Sequence, residues 1–328
     1  MNSLMDWLNL TLFDLASYLI DANQRIFILY LITSALIASV IYAFSQRKPG
    51  LVHFLLNRKI WLHASSVADY KIWIINKFIR VILVTPLLFS SIPIAIWVNE
   101  LISTFQGPAG LPQTATLTQA FGFTLILFLL DDFSRFLLHW LMHKIPLLWA
   151  FHQVHHSAEV LTPFSVYRIH PVESALYALR MVLVQGLSIG IGTALFAINL
   201  TMLDILGANL FIFGFNILGA NLRHSHVWFV WPSWLQHWLI CPAQHQMHHG
   251  RQVKYYDCNF GTCLSIWDKL FFSFKLAPKV KPYRLEFGLA KTPSQSAHKL
   301  TNLYFLPIKY AWLSLVSFLK KRLNIHFK

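Results

Sequence analysis

Read for hydrophobicity alone, the chain alternates long apolar runs with short polar, basic loops. Ile26–Phe44 is a clean run of the roughly 20 apolar residues that a membrane-spanning helix needs. Arg80–Val98 is a second, with Pro86 and Pro93 inside it as kinks that a membrane helix tolerates. Leu117–Leu130 is shorter, but its helical pattern continues through Asp131 and Asp132 to His143. Ala175–Leu200 and Thr201–Ala220 make two further runs, joined near Asn199. The stretch before Ile26 has no basic lead to its apolar residues, so it reads as an interfacial helix rather than a cleaved signal peptide. Leu289–His298 is polar and contains Pro293, and reads as a linker. Leu300–Leu319, interrupted by Pro307 and Lys309, is expected to lie on the membrane rather than cross it. The expected fold class is all-α: a multi-pass membrane helical bundle of about 4–5 passages with a helical cap.

Composition strengthens this picture. Of 328 residues 56% are hydrophobic and 12% charged, where soluble domains carry about 25% charged residues. The net charge of +14 does not indicate nucleic acid, because the basic residues form no arm with interleaved stacking aromatics. They cluster instead as a membrane protein's cytosolic charges do. Arg47, Lys48, Arg58, Lys59, Lys71 and Lys77 fall between the first two spans, and none lies between Asn99 and Gln119. Many follow Ala220, ending in Lys320, Lys321 and Arg322. The first loop and everything after the third span, bar one hairpin, are thus expected inside, with the N-terminus outside. Cys241, Cys258 and Cys263 make no CxxC pair and suit reduced thiols on the cytosolic side.

The candidate chemistry lies in the 16 histidines. His139 and His143 form an HxxxH pair on one helix face; His152, His155 and His156 form an HxxHH box, and His245, His248 and His249 a second. His224 and His226 stand between the boxes. The charge-based topology puts all three groups just beyond membrane spans on the cytosolic side. Eight imidazoles converging there can bind two metals such as iron, zinc or copper. Packing or solvation gives no reason for that spacing, whereas His53, His63, His237, His298 and His326 read as ordinary interfacial residues. HExxH and GxSxG are absent, which excludes the zinc-peptidase and nucleophile-elbow layouts. A non-enzymatic membrane metal-binding protein or transporter is the alternative, although transporters place ligands near the bilayer midplane.

At these boxes the chain resembles the fatty acid hydroxylase and sterol desaturase superfamily of membrane di-iron enzymes, its bacterial sterol desaturase-like and alkylglycerol monooxygenase-like members included. The likeness runs from about Phe123 to Phe274, through Asp132-Phe133, Phe151–Ser157 with Glu159, Arg168–Pro171 with Glu173, Asn259-Phe260-Gly261 and Ile266–Phe271. The chain departs from the pattern at Trp140, where Arg is usual, at Phe136, where Tyr is usual, and at Phe272, where Gly is usual.

The resemblance implies that the eight boxed histidines are metal ligands, with His224 as an additional ligand and His226 as its alternative. It leaves His170 as a ligand or a neighbour of one, and Asp132, Glu159, Asp257 and Asp268 as groups that orient imidazole N–H bonds. It also implies two iron ions, replaceable by zinc on purification, and dioxygen as co-substrate. The substrate is then a lipid (acyl chain, sterol or alkyl-glycerol), hydroxylated, desaturated or cleaved at an ether bond. With no Rossmann fingerprint or haem domain in view, a separate donor of cytochrome b5, ferredoxin or pterin type is expected. The boundaries are residues 1–116 for an interfacial helix and two spans, 117–288 for the catalytic segment, and 289–328 for linker and interfacial tail. The expected setting is a bacterial inner membrane, or endoplasmic reticulum in a eukaryote, with the boxes facing the cytosol.

Overall fold

The computed structural model describes residues 17–45, 50–80, 91–106, 113–196, 198–199, 201–205, 207–289 and 298–325. Most of the expected N-terminal interfacial helix, half of the Arg80–Val98 run and nearly all of the Leu289–His298 linker lie outside the described residues. The described residues form helices joined by loops, with two pairs of two-residue strands. The principal helices are α1 (Ile28–Ala43), α2 (Ala64–Ile79), α3 (Ile92–Gln106), α4 (Leu117–Lys144), α5 (Pro146–His156), α6 (Pro171–Phe196), α7 (Leu210–Ile217), α8 (Pro242–His248), α9 (Ile266–Leu270) and α10 (Leu300–Ile325).

The site depends first on α4. Its start is set by a capping box, in which the Thr116 hydroxyl accepts the Gln119 N–H and the Gln119 side chain accepts the Thr116 N–H. Its end is set by Pro146, which forces Ile145 into an extended conformation and opens α5 at its first turn. That one-residue break folds α5 back on α4 and brings two histidine-bearing helix ends together.

The longest apolar helix is α6, the one described helix long and apolar enough to cross a membrane by length and composition. Ile28–Ala43 and Ile92–Phe105 are shorter apolar helices. Helices α3 and α6 approach closely at Gly186 and Gly190, where an added Cβ would sit 2.6 Å from Ile94 Cβ and 2.6 Å from Val98 Cβ. Such a G-x-x-x-G contact is how helices pack where lipid leaves no hydrophobic force between them. Leu36, Trp97 and Leu183 point outward, more than half exposed, as a lipid-facing surface requires.

Thr201–Ala220 is not the continuous span the hydropathy suggests. It turns at Gly207, whose φ is 79°, forms a two-residue antiparallel pair, and then makes only the eight-residue α7 before Gly219 at φ 86° ends it. Thr124 makes this irregular backbone tolerable: its hydroxyl accepts the Leu203 N–H, and its carbonyl accepts from the Asn209 side chain. A second difference is α10, which runs through Pro307 without a break. Leu303 buries against Ala68, Ile72 and Val154, and the Tyr304 hydroxyl donates to Asn76, so packing holds the helix across the proline.

Candidate metal centre

The nine histidines of interest are sorted into two groups by helix geometry. Within an HxxHH box, i and i+4 lie about 40° apart, while i+3 points about 60° from i and about 100° from i+4. Accordingly His152 and His156 join His139, His143 and His248 in one group, and His155 joins His224, His245 and His249 in the other. In each group one nitrogen per ring lies within 4.8 Å of all the others. The groups adjoin, the rings of His156 and His249 stacking at 4.6 Å and those of His155 and His249 meeting at 4.6 Å. Every member is buried except His143, which is half-buried.

The hydrogen bonds show which nitrogens are left for a metal. In the first group His139 Nδ1 meets the Phe260 carbonyl at 2.8 Å, His248 Nδ1 the Cys258 carbonyl at 2.8 Å, and His152 Nδ1 the Glu173 carboxylate at 2.9 Å. Each acceptor fixes the proton on Nδ1 and so leaves Nε2 as a lone pair. The Nε2 atoms of His139, His143, His152, His156 and His248 are buried and have no partner among the described residues.

In the second group the Nε2 atoms of His224, His245 and His249 form a triangle with edges of 3.1–3.2 Å. An imidazole nitrogen has a single in-plane lobe, either N–H or lone pair, so three of them cannot all be satisfied by one another. Ligands at right angles around an ion ~2.1 Å away would be ~3.0 Å apart, close to these edges. The residues present fit a metal in both groups.

Burial favours the neutral, ligating form. His155 is pulled down to about 3, by burial first and then by the charge of neighbouring His139. His224, His245, His248 and His249 are held well below the ordinary histidine value by burial, with the other histidines adding to it.

The other anticipated residues lie elsewhere. The His226 ring packs on Phe54 at 5.2 Å and belongs to neither group. His170 Nδ1 accepts the Val172 N–H at the start of α6, and its Nε2 donates to the Tyr304 carbonyl, so both nitrogens are committed. Asp257 is exposed and paired with Lys144 at 2.7 Å. Asp132 accepts from the Cys263 and Leu264 N–H groups and the Trp267 indole, and Asp268 from the Phe260 and Gly261 N–H groups and the Ser273 hydroxyl. None of these acids touches a boxed imidazole. Asp132 and Asp268 fix the loop whose carbonyls do.

His63, Glu159 and His298 form a third cluster, but Arg168 sits beside His298 Nδ1 at 3.2 Å. A guanidinium only donates, so the proton of His298 sits on Nε2, 3.2 Å from Glu159, and no lone pair is left for a metal. Sequence reasoning did not single out Glu173 as the carboxylate partner of His152, although it quoted the residue, and main-chain carbonyls have no side-chain signature to find.

These features define a helical protein with exposed apolar helix faces and two adjoining histidine groups able to hold metal ions. Residues 124–273 match the family model described as Fatty acid hydroxylase, and this part of the chain is similar to that family. Cholesterol 25-hydroxylase of Mus musculus is 29% identical over 193 residues, covering 54% of this chain and 55% of that protein. Alkylglycerol monooxygenase of Homo sapiens is 29% identical over 148 residues, covering 45% of this chain and 29% of that protein. The chain therefore spans about half the length, or less, of these curated relatives. No solved structure matches it.

Proposed function

We propose that the chain is a membrane oxidoreductase that uses dioxygen to hydroxylate, oxygenate or desaturate a lipid, with two iron ions held by the paired histidine groups. The observation that carries this reading is the convergence of unpartnered, buried imidazole nitrogens into two adjoining sets on the wall of one cavity. The relatives named above, a cholesterol hydroxylase and an alkylglycerol monooxygenase, support a lipid substrate. His139, His143, His152, His156 and His248 would hold one ion, and His155, His224, His245 and His249 the other. Bound there, iron supplies the reductive activation of dioxygen needed to attack an unactivated C–H bond.

The chain's own part is positioning and exclusion of water. Glu173 and the carbonyls of Phe260 and Cys258 keep three imidazoles turned with Nε2 inward. The cap residues around α5 and α8 bury the rings, so competing water is kept from the ligand atoms. The cavity beside the rings holds one stretch of the substrate near them, an effect of proximity. Electrons come from a separate donor, and the histidine end of the bundle faces the cytosol. The test is metal analysis of protein purified under reducing, anaerobic conditions, together with lipid mass spectrometry of expressing cells. Near two metals per chain and a lipid that gains one oxygen or loses two hydrogens support the reading. A metal-loaded protein with no oxygen uptake and an unchanged lipidome would favour a non-enzymatic metal-binding role.

A further inference from the structure

The cavity that the two histidine groups share has a volume of about 450 Å³ and is lined on one side by His139, His152, His155, His224 and His245. A route for a neutral hydrocarbon would be apolar throughout. This one also carries Arg25, Arg135, Arg180 and Arg223, brought in from α4, α6 and two segments far apart in sequence.

The charges do not balance. Arg135 and Arg180 share one carboxylate, Asp131, each at 2.8 Å. Glu173, the one carboxylate among the described residues that line the cavity, is taken by His152. Arg223 is 7% exposed and donates only to neutral carbonyls, those of Ala220 and Thr262, both at 3.0 Å, while its guanidinium lies over the Phe215 ring. Arg25 donates to the Asn216 side chain, and its own carbonyl accepts from Asn221. No carboxylate pairs with Arg25 or Arg223 among the described residues. Two cations in one cavity, with Asp131 and Asp132 acting on them only at a distance and already engaged by other donors, favour a ligand that supplies an anion in direct contact. Guanidinium groups match carboxylate and phosphate oxygens in geometry as well as in charge. Val166, Ile169, Ala178 and Met181 give the same cavity an apolar wall.

We propose that this cavity selects a lipid with an anionic head, a carboxylate or a phosphate, held by Arg25 and Arg223 with its hydrocarbon chain along the apolar wall beside the histidines. This rests on the lipid-oxidising reading above and narrows it, since sterols and neutral alkyl-glycerols lack such a head.

The test is direct binding, in uncharged detergent, of hexadecyl phosphate, palmitate, hexadecanol, hexadecylphosphocholine and inorganic phosphate to the full chain. Metal content is measured on the same samples. Hexadecyl phosphate or palmitate should bind at least about tenfold more tightly than hexadecanol or hexadecylphosphocholine, the difference expected of charge-assisted hydrogen bonds. Arg223→Gln should remove most of that preference and Arg223→Lys only part of it. Arg25→Gln carries the same test should the Arg223 variants fail to fold. The double variant Lys320→Gln/Lys321→Gln, exposed on α10, should keep the preference, which separates the cavity from general surface charge. Equal binding of hexadecanol, or an anion preference that survives both glutamine variants, overturns the proposal. So does inorganic phosphate binding as tightly as hexadecyl phosphate, which would mark a site for a soluble anion. A protein with two metals and no anion preference leaves the oxidoreductase reading standing, whereas anion preference without metal does the reverse.

Discussion

Replacing Asp132 by alanine should loosen the metal centre although this carboxylate touches no histidine. It is 2% exposed and accepts three hydrogen bonds, from Cys263 N at 2.8 Å, Leu264 N at 3.0 Å and the Trp267 indole at 3.0 Å. The donors sit in a stretch that also carries Cys258 and Phe260, whose carbonyls hold His248 and His139. Alanine leaves two main-chain N–H groups and an indole without their acceptor, the Cys263 N–H buried and the other two part-buried. Each such buried orphan costs about 1–3 kcal/mol, so about 4 kcal/mol in all is a fair expectation. That is a large part of the ~5–15 kcal/mol typical of a folded domain. The Asp132→Asn variant keeps one acceptor but turns an NH₂ toward a donor, and should cost about half as much. The assay is thermal unfolding of the metal-loaded protein in detergent, with the rate of metal release to a chelator followed in parallel. Asp132→Ala should lower the melting temperature by about 8–16 °C, using ~2–4 °C per kcal/mol for domains of moderate size. It should also speed metal release, with Asp132→Asn between it and the wild type. An Asp132→Ala protein melting within about 2 °C of wild type, and releasing metal no faster, would refute the role given to the loop.

Three other outcomes follow from the same geometry. Glu173→Gln, which weakens the acceptor that fixes the Nδ1 proton of His152, should reduce metal affinity by ~10–100-fold with little change in helix content, as read by metal titration and circular dichroism. His224→Ala should strip metal from the second group, whereas His226→Ala, whose ring packs on Phe54 outside both groups, should retain full occupancy; elemental analysis of the two variants decides between them. Phe272→Gly should raise the melting temperature by the equivalent of ~0.5–1 kcal/mol, because Phe272 is held at φ 58° with 97% of its surface exposed, and glycine removes that strain at no packing cost.

What the sequence shows of this molecule divides along physical lines. Helical class, the length of α4 and the place of the HxxxH pair at its end were legible, because hydrophobic runs and i,i+4 spacing are written in side chains. The irregular Thr201–Ala220 segment was not, since hydropathy cannot see that Thr124, far away in sequence, satisfies its backbone. The same limit explains the acids. Asp132 and Asp268 looked like partners for imidazoles, but they bind main-chain N–H groups, and the imidazoles are held by main-chain carbonyls that any residue could supply. His170 and Glu173 lie one helical turn apart at the start of α6. One caps the helix and the other reaches His152, a difference set by helix phase rather than residue type. Phe272 is the reverse case: the departure from an expected glycine was visible in the sequence, and the backbone gives it a meaning.

Helix α6 ties these features together. Its first turn gives Glu173 to His152, its second and third turns bring Tyr177 and Arg180 to the cavity, and Gly186 and Gly190 seat it against α3. Leu183 and Leu195, on either side of them, face outward. One rigid element thus runs from an exposed apolar face, along a cationic cavity, to the hydrogen bond that orients His152. Displacing it along its axis would move Arg180 and Glu173 together, so the cationic lining of the cavity and the orientation of His152 are mechanically coupled. Enlarging Gly186 to leucine, which has no room against Ile94 at 2.6 Å, would therefore disturb metal retention as well as helix packing, although the substitution lies about four turns from the histidine it affects.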